Sequence, residues 1–522
     1  MRRAIGLHRA VVGWLLVAAC SATEGPTVTG PTVSSAPPPS ASAASSASAR
    51  AAAEPSRFTL LYTADEHGWL LPGNDGGKTV GGAAEVLGRW VAEEGHCVGG
   101  DACPDPVTLA LSGGDNWTGP AVSSYFHGVP MAEAMRRMGY AVSAFGNHEF
   151  DFGRERFLKN GIIGGFPYGA ANLHVVAGGP DDFRLPPFVT FKRKGATIAV
   201  VGLATDTTLK VAMASRFVGI EFEPEEAALG RAIPEAWATG PDAVVLLAHE
   251  CPDKLVPILE RHPEWALAFV GAGHCHKTIE TKVFGRPVVA PGWRLRQYAR
   301  VALTVDRTRP QKERVVDIDA RVVQVTREEG KTSPAPEPVL AAHAEKARRE
   351  TDAVLGDVVG FSASGFEQKS QPLGRYVAGA WRAELRTDLA IVNSGGLRQS
   401  IPKGEITRNL IYSVLPFDNR ILVVRIKGSA LLENLALEEA IVAGARDKGG
   451  GNWVFDDGRP IDRDATYSVA TVDFLYFGGA GFTFQMHDPH ARETGLDWRE
   501  PVVAWTKKQR SSAQQPLEKK LR

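Results

Sequence analysis

Between residues 58 and 276 the chain repeats one pattern: a short, near-continuous apolar run that breaks into glycines and polar residues. Phe58–Thr63 runs into Asp65-Glu66-His67-Gly68, and Val107–Ser112 into Gly113-Gly114-Asp115-Asn116. Tyr140–Phe145 runs into Gly146-Asn147-His148-Glu149, Ala243–Ala248 into His249-Glu250, and Leu267–Val270 into Gly271-Ala272-Gly273-His274-Cys275-His276. Thr197–Gly202 is a further run of the same kind. Apolar runs without alternation are what strands buried on both faces look like. Between them, Gly82–Glu94 and Pro130–Met138 carry apolar residues at helical spacing. Alternating strand and helix implies a layered α/β domain. In such folds the loops after the carboxyl ends of the strands gather into one crevice. The polar residues all fall at those ends, so the pattern predicts one shared site.

The residue types there point to metal chemistry. Asp65, His67, Asp115, Asn147, His148, Asp151, His249, His274 and His276 are gathered at strand ends in a chain with only 13 His, so the grouping is not background. Imidazole and carboxylate together suit a pair of divalent cations such as zinc, manganese or cobalt, and no thiolate set competes. One carboxylate can bridge two such ions about 3.5–4 Å apart. The pair would lower the pKa of a bound water, neutralise phosphoryl oxygens and hold attacker and leaving group in line.

With 522 residues the chain is too long for one ordinary domain. Residues 1–20 read as a lipoprotein signal peptide. Arg2, Arg3 and Arg9 form a basic start, and Val11–Ala19 is apolar but too short to span a bilayer. Val17-Ala18-Ala19-Cys20 resembles a bacterial lipobox, in which the cysteine is acylated; an ordinary signal peptide is the alternative. Ser21 after Cys20 resembles outer-membrane sorting, which places the protein at the outer membrane or in the periplasm of a bacterium. Residues 21–56 are almost all Ser, Ala, Pro, Thr and Gly and read as a disordered tether. The catalytic part is expected over 57–335, a linking helix over 336–355, a second α/β domain over 356–506, and a polar, frayed tail over 507–522.

Lys+Arg and Asp+Glu both number 59, so the chain lacks the basic excess of a protein that binds nucleic-acid polymer. Cys97 and Cys103 flank a Gly-rich loop; a local disulfide and two free thiols are both open readings. Cys251 and Cys275 sit beside the site histidines and read as small neighbours, not ligands. Nothing in the sequence fixes the oligomeric state.

Asp65-Glu66-His67, Gly114-Asp115, Gly146-Asn147-His148-Glu149, Ala248-His249 and Gly273-His274-Cys275-His276 follow, in order, the signature of the metallophosphoesterase superfamily. The fuller run Gly146-Asn147-His148-Glu149-Phe150-Asp151 resembles its 5′-nucleotidase branch, and the likeness extends over about 57–490. The resemblance implies an α/β fold: an N-terminal layered β-sandwich with flanking helices, a linking helix, and a smaller C-terminal substrate-binding domain. It implies one metal on Asp65, His67, Asp115 and His276, and the other on Asp115, Asn147, His249 and His274. His148 would contact the phosphate, and Asp151, three residues on, would pair with it and hold it protonated. Asn393-Ser394-Gly395-Gly396-Leu397-Arg398 matches a phosphate- and ribose-holding element. Leu415-Pro416-Phe417 and the loop from Phe474 to Phe482 match the two loops that carry base-stacking aromatics.

Three departures bear on the substrate. The family usually has Asp where Ala480 stands, an Arg shortly before Leu373 where none occurs, and Asn and Asp where Arg375 and Gly379 stand. The leading expectation is hydrolysis of nucleoside 5′-monophosphates. UDP-sugars, 2′,3′-cyclic nucleotides or other phosphate esters are alternatives with the same chemistry. A non-catalytic nucleotide-binding lipoprotein is a third, against which the intact His148/Asp151 pair speaks.

Overall fold

The computed structural model describes residues 54–521, apart from 101, 102, 105, 181 and 182. The signal peptide, Cys20 and nearly all of the tether lie outside those residues. No helix among the described residues is long and apolar enough to cross a membrane.

Twelve strands build the two large sheets of the N-terminal part: β1 (Ser56–Thr63), β2 (Thr108–Ser112), β3 (Tyr140–Ala144), β4 (Tyr168–Gly169), β5 (Phe188–Arg193), β6 (Ala196–Ala204), β7 (Ala243–His249), β8 (Phe269–Ala272), β9 (Thr278–Val283), β10 (Arg286–Pro291), β11 (Gln297–Val305) and β12 (Val315–Gln324). They form two six-stranded sheets, in the orders β12-β11-β1-β2-β3-β4 and β9-β10-β8-β7-β6-β5. β1 to β4 run parallel, as do β6, β7, β8 and β10. Parallel pairing puts the carboxyl ends of β1, β2 and β3 along one edge and those of β7 and β8 along another.

The two sheets pack face to face on Leu60, Tyr62, Leu109, Val245, Leu247 and Phe269. The outer face of the first sheet is covered by α1 (Ala83–Glu94), α2 (Val129–Arg137) and residues 340–347 of a helix in the linking region. The outer face of the second is covered by α3 (Glu225–Ala238) and α4 (Pro252–Glu260). Along β7, Val245 and Leu247 face the sandwich interior while Val244 and Leu246 face the helices. Each such side chain contributes about 1.5–3 kcal/mol on burial, which is why the runs read as continuous rather than alternating.

The linking region is α5 (Pro338–Leu355), capped by the Glu337 carboxylate accepting from Leu340 N. Arg137 of α2 grips the same carboxylate at 2.7 Å, tying the start of α5 to the first sheet's helices. The C-terminal part holds β13 (Leu389–Asn393), β14 (Arg420–Lys427), β15 (Ala440–Ala443), β16 (Thr466–Val472) and β17 (Arg492–Asp497), in the order β15-β13-β16-β14-β17. Helices α6 (Gln371–Leu385) and α7 (Arg499–Gln509) pack with this sheet around Trp381 and Trp498. The Trp381 indole N–H donates to Trp498 O at 2.8 Å.

Two sequence expectations resolve here. Cys97 and Cys103 are joined in a disulfide. Over its described residues 507–521 the tail is not frayed: α7 runs to Gln509, and Leu517 is fully buried in the C-terminal core. Glu518 accepts from Ser362 Oγ at 2.6 Å and Ser364 N at 2.9 Å. One buried leucine and one satisfied carboxylate outweigh the tail's polar composition.

Candidate active site

The loops after five strands converge on one point. β1 delivers Asp65 and His67, β2 delivers Asp115, β3 delivers Asn147 and His148, β7 ends on His249, and β8 leads into His274 and His276. Asp65 and His249 are 0% exposed and Asp115 is 1% exposed. Buried carboxylates at that depth need a cation beside them.

The imidazoles are aimed by their outer nitrogens. His67 Nδ1 lies 2.9 Å from Thr118 O, and His249 Nδ1 lies 2.8 Å from Gly113 O. A carbonyl only accepts, so Nδ1 carries the hydrogen in both rings and Nε2 presents its lone pair inward, the arrangement that orients metal-ligating histidines. His249 Nε2 is 3.2 Å from Asp115 Oδ2 and 3.0 Å from Asn147 Oδ1. His67 Nε2 is 3.7 Å from the same Asp115 Oδ2 and 2.9 Å from His276 Nε2. His276 Nε2 is 3.5 Å from Asp65 Oδ1, and His274 Nδ1 is 3.0 Å from Asn147 Oδ1. Asp115 Oδ2 thus stands between the two histidines of different sets, while its Oδ1 accepts from His148 N at 2.8 Å.

Electrostatics favour cations here. Burial holds His67 and His276 well below the usual imidazole range and His274 down at about 4, leaving neutral rings with free lone pairs. Burial opposes charge on His249 too, but the Asp115 carboxylate outweighs it and lifts that ring to about 10. The spot therefore stabilises a positive charge on Nε2, whether a proton or a metal ion. Among the described residues, Asp65, His67 and His276 form one donor group and Asp65, Asp115 and His249 another, each within 4.8 Å. The donor chemistry fits a pair of divalent cations.

The backbone is committed to this geometry. Asp65, His67, Asp115, His274 and His276 all have positive φ, between 45° and 69°. Such conformations are uncommon outside glycine and cluster where the surroundings over-determine them. A Cβ on Gly146 would lie 2.2 Å from Asp115 Oδ1, so only glycine lets the β3 loop approach that carboxylate. Beneath the site, Glu149 accepts from Asp115 N at 2.7 Å and Glu66 from Ser112 Oγ at 3.0 Å.

Next to the donors, His148 Nδ1 lies 2.9 Å from Asp151 Oδ2, as the spacing of three implies. The His148 ring stacks on Phe417 with centroids 5.2 Å apart. Both residues line a cleft of about 430 Å³ that also takes in Asn393, Arg398, Phe474 and Ala480. Every residue expected at the site from sequence therefore lies at the donor cluster or along this cleft. Arg398 Nη2 is 3.1 Å from His67 Nε2, at the boundary between the metal donors and the cleft.

Other residues at the site carry no sequence signal. Lys210, Arg216, Lys369 and Glu439 line the cleft. Glu439 accepts from Gly395 N at 2.8 Å and so fixes the loop before Arg398. Arg294 is held between the Trp69 and Trp293 rings; its N donates to Asp65 O at 2.9 Å and its Nη2 to Arg398 O at 2.6 Å. It braces the substrate-side arginine against a ligand loop. Trp293 stacks on His276 with centroids 4.3 Å apart and sets that ring's plane. Arg375, by contrast, is exposed on α6 and does not line the cleft.

Residues 349–487 match the model of the 5′-nucleotidase C-terminal domain. The chain is 28% identical over 410 residues to the endonuclease YhcR of Bacillus subtilis, covering 70% of this chain and 33% of that protein, so it spans about a third of YhcR's length. It is 26% identical over 499 residues to a 5′-nucleotidase of Vibrio cholerae, covering 84% of this chain and 88% of that one. The crystal structure of a 5′-nucleotidase precursor from Thermus thermophilus superposes with a TM-score of 0.73 at 22% identity, covering 87% of this chain and 97% of that one. The chain is thus similar in sequence over most of its length to 5′-nucleotidases, matches their C-terminal domain over residues 349–487, and shares the fold of the Thermus thermophilus structure.

Proposed function

We propose that this phosphate-ester hydrolase removes phosphate from nucleoside 5′-monophosphates, outside the cytoplasm, with the help of two divalent cations. The observation that carries the reading is Asp115 Oδ2, placed 3.2 Å from His249 and 3.7 Å from His67, in a residue that lines the same cleft as His148. Asp65, His67, Asp115 and His276 would hold one cation, and Asp115, Asn147, His249 and His274 the other. Zinc, manganese and cobalt suit such donors. When bound, the ions supply a hydroxide nucleophile near neutral pH and neutralise phosphoryl charge.

The chain's own groups do the rest. His148 Nδ1 is engaged by Asp151, which leaves Nε2 to donate to a phosphoryl or leaving oxygen. Arg398 holds the polar part of the substrate by charge-assisted hydrogen bonds. Lys369 adds a cation from the segment where the family's arginine is missing. Phe417 and Phe474 offer flat faces to a base, an interaction worth about 1–3 kcal/mol per base. One observation favours a second reading, hydrolysis of a UDP-sugar: Lys210 and Arg216 add positive charge to the cleft beyond what one phosphate asks for.

A comparison of kcat/KM on AMP, deoxy-AMP and ribose 5-phosphate tests the substrate class. Ala480 cannot accept from ribose hydroxyls, and a site without that acceptor does not reject the analogue lacking the hydroxyl. The expected result is AMP and deoxy-AMP within about tenfold of each other, and ribose 5-phosphate behind both by about the 1–3 kcal/mol of one lost stack. AMP ahead of deoxy-AMP by orders of magnitude would mean that another residue grips the ribose. Ribose 5-phosphate ahead of both would sink the nucleotide reading.

The location rests on Cys20 and its small preceding residues. One acyl chain binds a membrane weakly and two or more hold firmly. Full-length protein expressed in a bacterium should therefore fractionate with membranes, and Cys20→Ser should release it or leave its signal uncleaved. Unchanged membrane retention of Cys20→Ser after salt washing would count against the anchor.

A further inference from the structure

Two cysteines lie among the proposed ligands. Cys251 follows His249 by two residues, and Cys275 stands between His274 and His276. They are the free cysteines of the described residues, and both are half-buried. Cys275 Sγ donates to Gly273 O at 3.5 Å, and Cys251 and Cys275 each lie three residues beyond Ala248 and Ala272, which pair in register on the adjacent parallel strands β7 and β8. The two loops already touch through Gly273 N donating to Glu250 O at 3.2 Å. Cys275 lines the cleft, so a small reagent reaches it from the substrate side.

We propose that Cys251 and Cys275 form a reversible dithiol–disulfide pair that sets how tightly the His249/His274 donor set holds its cation. The metal half of this inference rests on the function proposed above. The reaction needs an oxidant, a low-molecular-weight disulfide. One cysteine attacks it as the thiolate, forming a mixed disulfide and releasing one thiol. The second cysteine then displaces the other thiol. The protein loses two hydrogens and two electrons and the small disulfide gains them.

The consequence follows from which side can move. A disulfide bond is about 2.05 Å long, shorter than any contact between two free thiols, so closing it draws the loops together. The Cys251 side is fixed. Its N–H donates to Glu250 Oε1 at 2.7 Å, and Glu250 is held by Thr205 at 2.8 Å and Lys254 at 3.1 Å. Lys254 is tied in turn to Asp206 at 2.6 Å and Glu225 at 2.8 Å. Cys251 also caps α4, which packs on the second sheet. The give therefore falls on the 273–276 turn, whose His274 and His276 have φ of 69° and 58°. Metal–ligand distances tolerate only about 0.2 Å. The oxidised form holds metal more weakly.

The test treats purified full-length protein, loaded with zinc, with a graded series of oxidised glutathione. Non-reducing peptide mapping reads the cross-link, and dialysis followed by elemental analysis reads metal affinity. The expected result is a Cys251–Cys275 peptide beside the Cys97–Cys103 one, with at least about tenfold weaker retention of one zinc, the range seen when a ligand's support is disturbed. A phosphine reductant should restore it. Cys251→Ser should keep its zinc and its activity under the same oxidant. Both thiols remaining open to alkylation after oxidation would overturn the pairing, and a cross-link with unchanged zinc retention would overturn the coupling. Reduced wild type that holds no zinc would instead overturn the metal reading, with the peptide map still reporting the pair.

Discussion

Asp115→Ala is expected to lose both metals and activity together. Asp115 Oδ2 is the atom that faces histidines of both donor sets, and Oδ1 holds His148 N at 2.8 Å. Its removal takes away the shared negative charge, the oxygen that would bridge the two proposed cations and the anchor of the His148 loop in one step. Disturbing a group behind a ligand typically costs about 10–100-fold in metal affinity or activity. Losing a bridging ligand should exceed that range. Wild type should carry close to two metals per chain by elemental analysis, and the variant far fewer. Asp115→Asn separates charge from shape, since it keeps an oxygen for His148 N and should fold with native circular dichroism while still losing metal. Full activity of wild type after exhaustive chelation would refute the two-cation reading outright.

The strands and the donors were legible for one physical reason. A strand buried on both faces must be apolar along its whole length, and it becomes polar where its backbone leaves the sheet. Asp65, Asp115, Asn147, His249 and His274 mark those exits, so composition along the chain reveals both the layer and the edge. His148 and Asp151 meet because three residues of one turn separate them. Lys369, Arg294 and Trp293 were not legible, because nothing periodic governs a loop residue whose place is set by distant partners. Arg294 reaches the site only through its stack between Trp69 and Trp293 and its bond to Arg398 O. The tail shows the same limit from the other side. A polar segment predicts exposure, yet buried Leu517 and the Glu518 carboxylate bonded to Ser362 and Ser364 dock it.

His148→Asn is expected to keep both metals while turnover falls. The ring contributes nothing to either donor group: its Nδ1 is committed to Asp151 at 2.9 Å, and its face lies against Phe417. Asp115 Oδ1 takes the backbone N–H of residue 148, which the substitution leaves in place. The change therefore removes the proposed proton donor and the ring stacked on Phe417 without touching a proposed ligand. Loss of a positioned acid or base typically costs about 10²–10⁴-fold, and kcat should carry most of it because the proton is needed as the leaving oxygen departs. An aryl phosphate with a good leaving group needs that proton less, so the deficit should shrink on p-nitrophenyl phosphate relative to AMP. Asp151→Asn should show the same leaving-group dependence at smaller size, since it weakens the hold on the ring but leaves the ring present. Equal losses on both substrates would mean that His148 stabilises phosphoryl charge and does not protonate the leaving group. Loss of metal from His148→Asn would make the residue a ligand and require the donor sets to be redrawn around it.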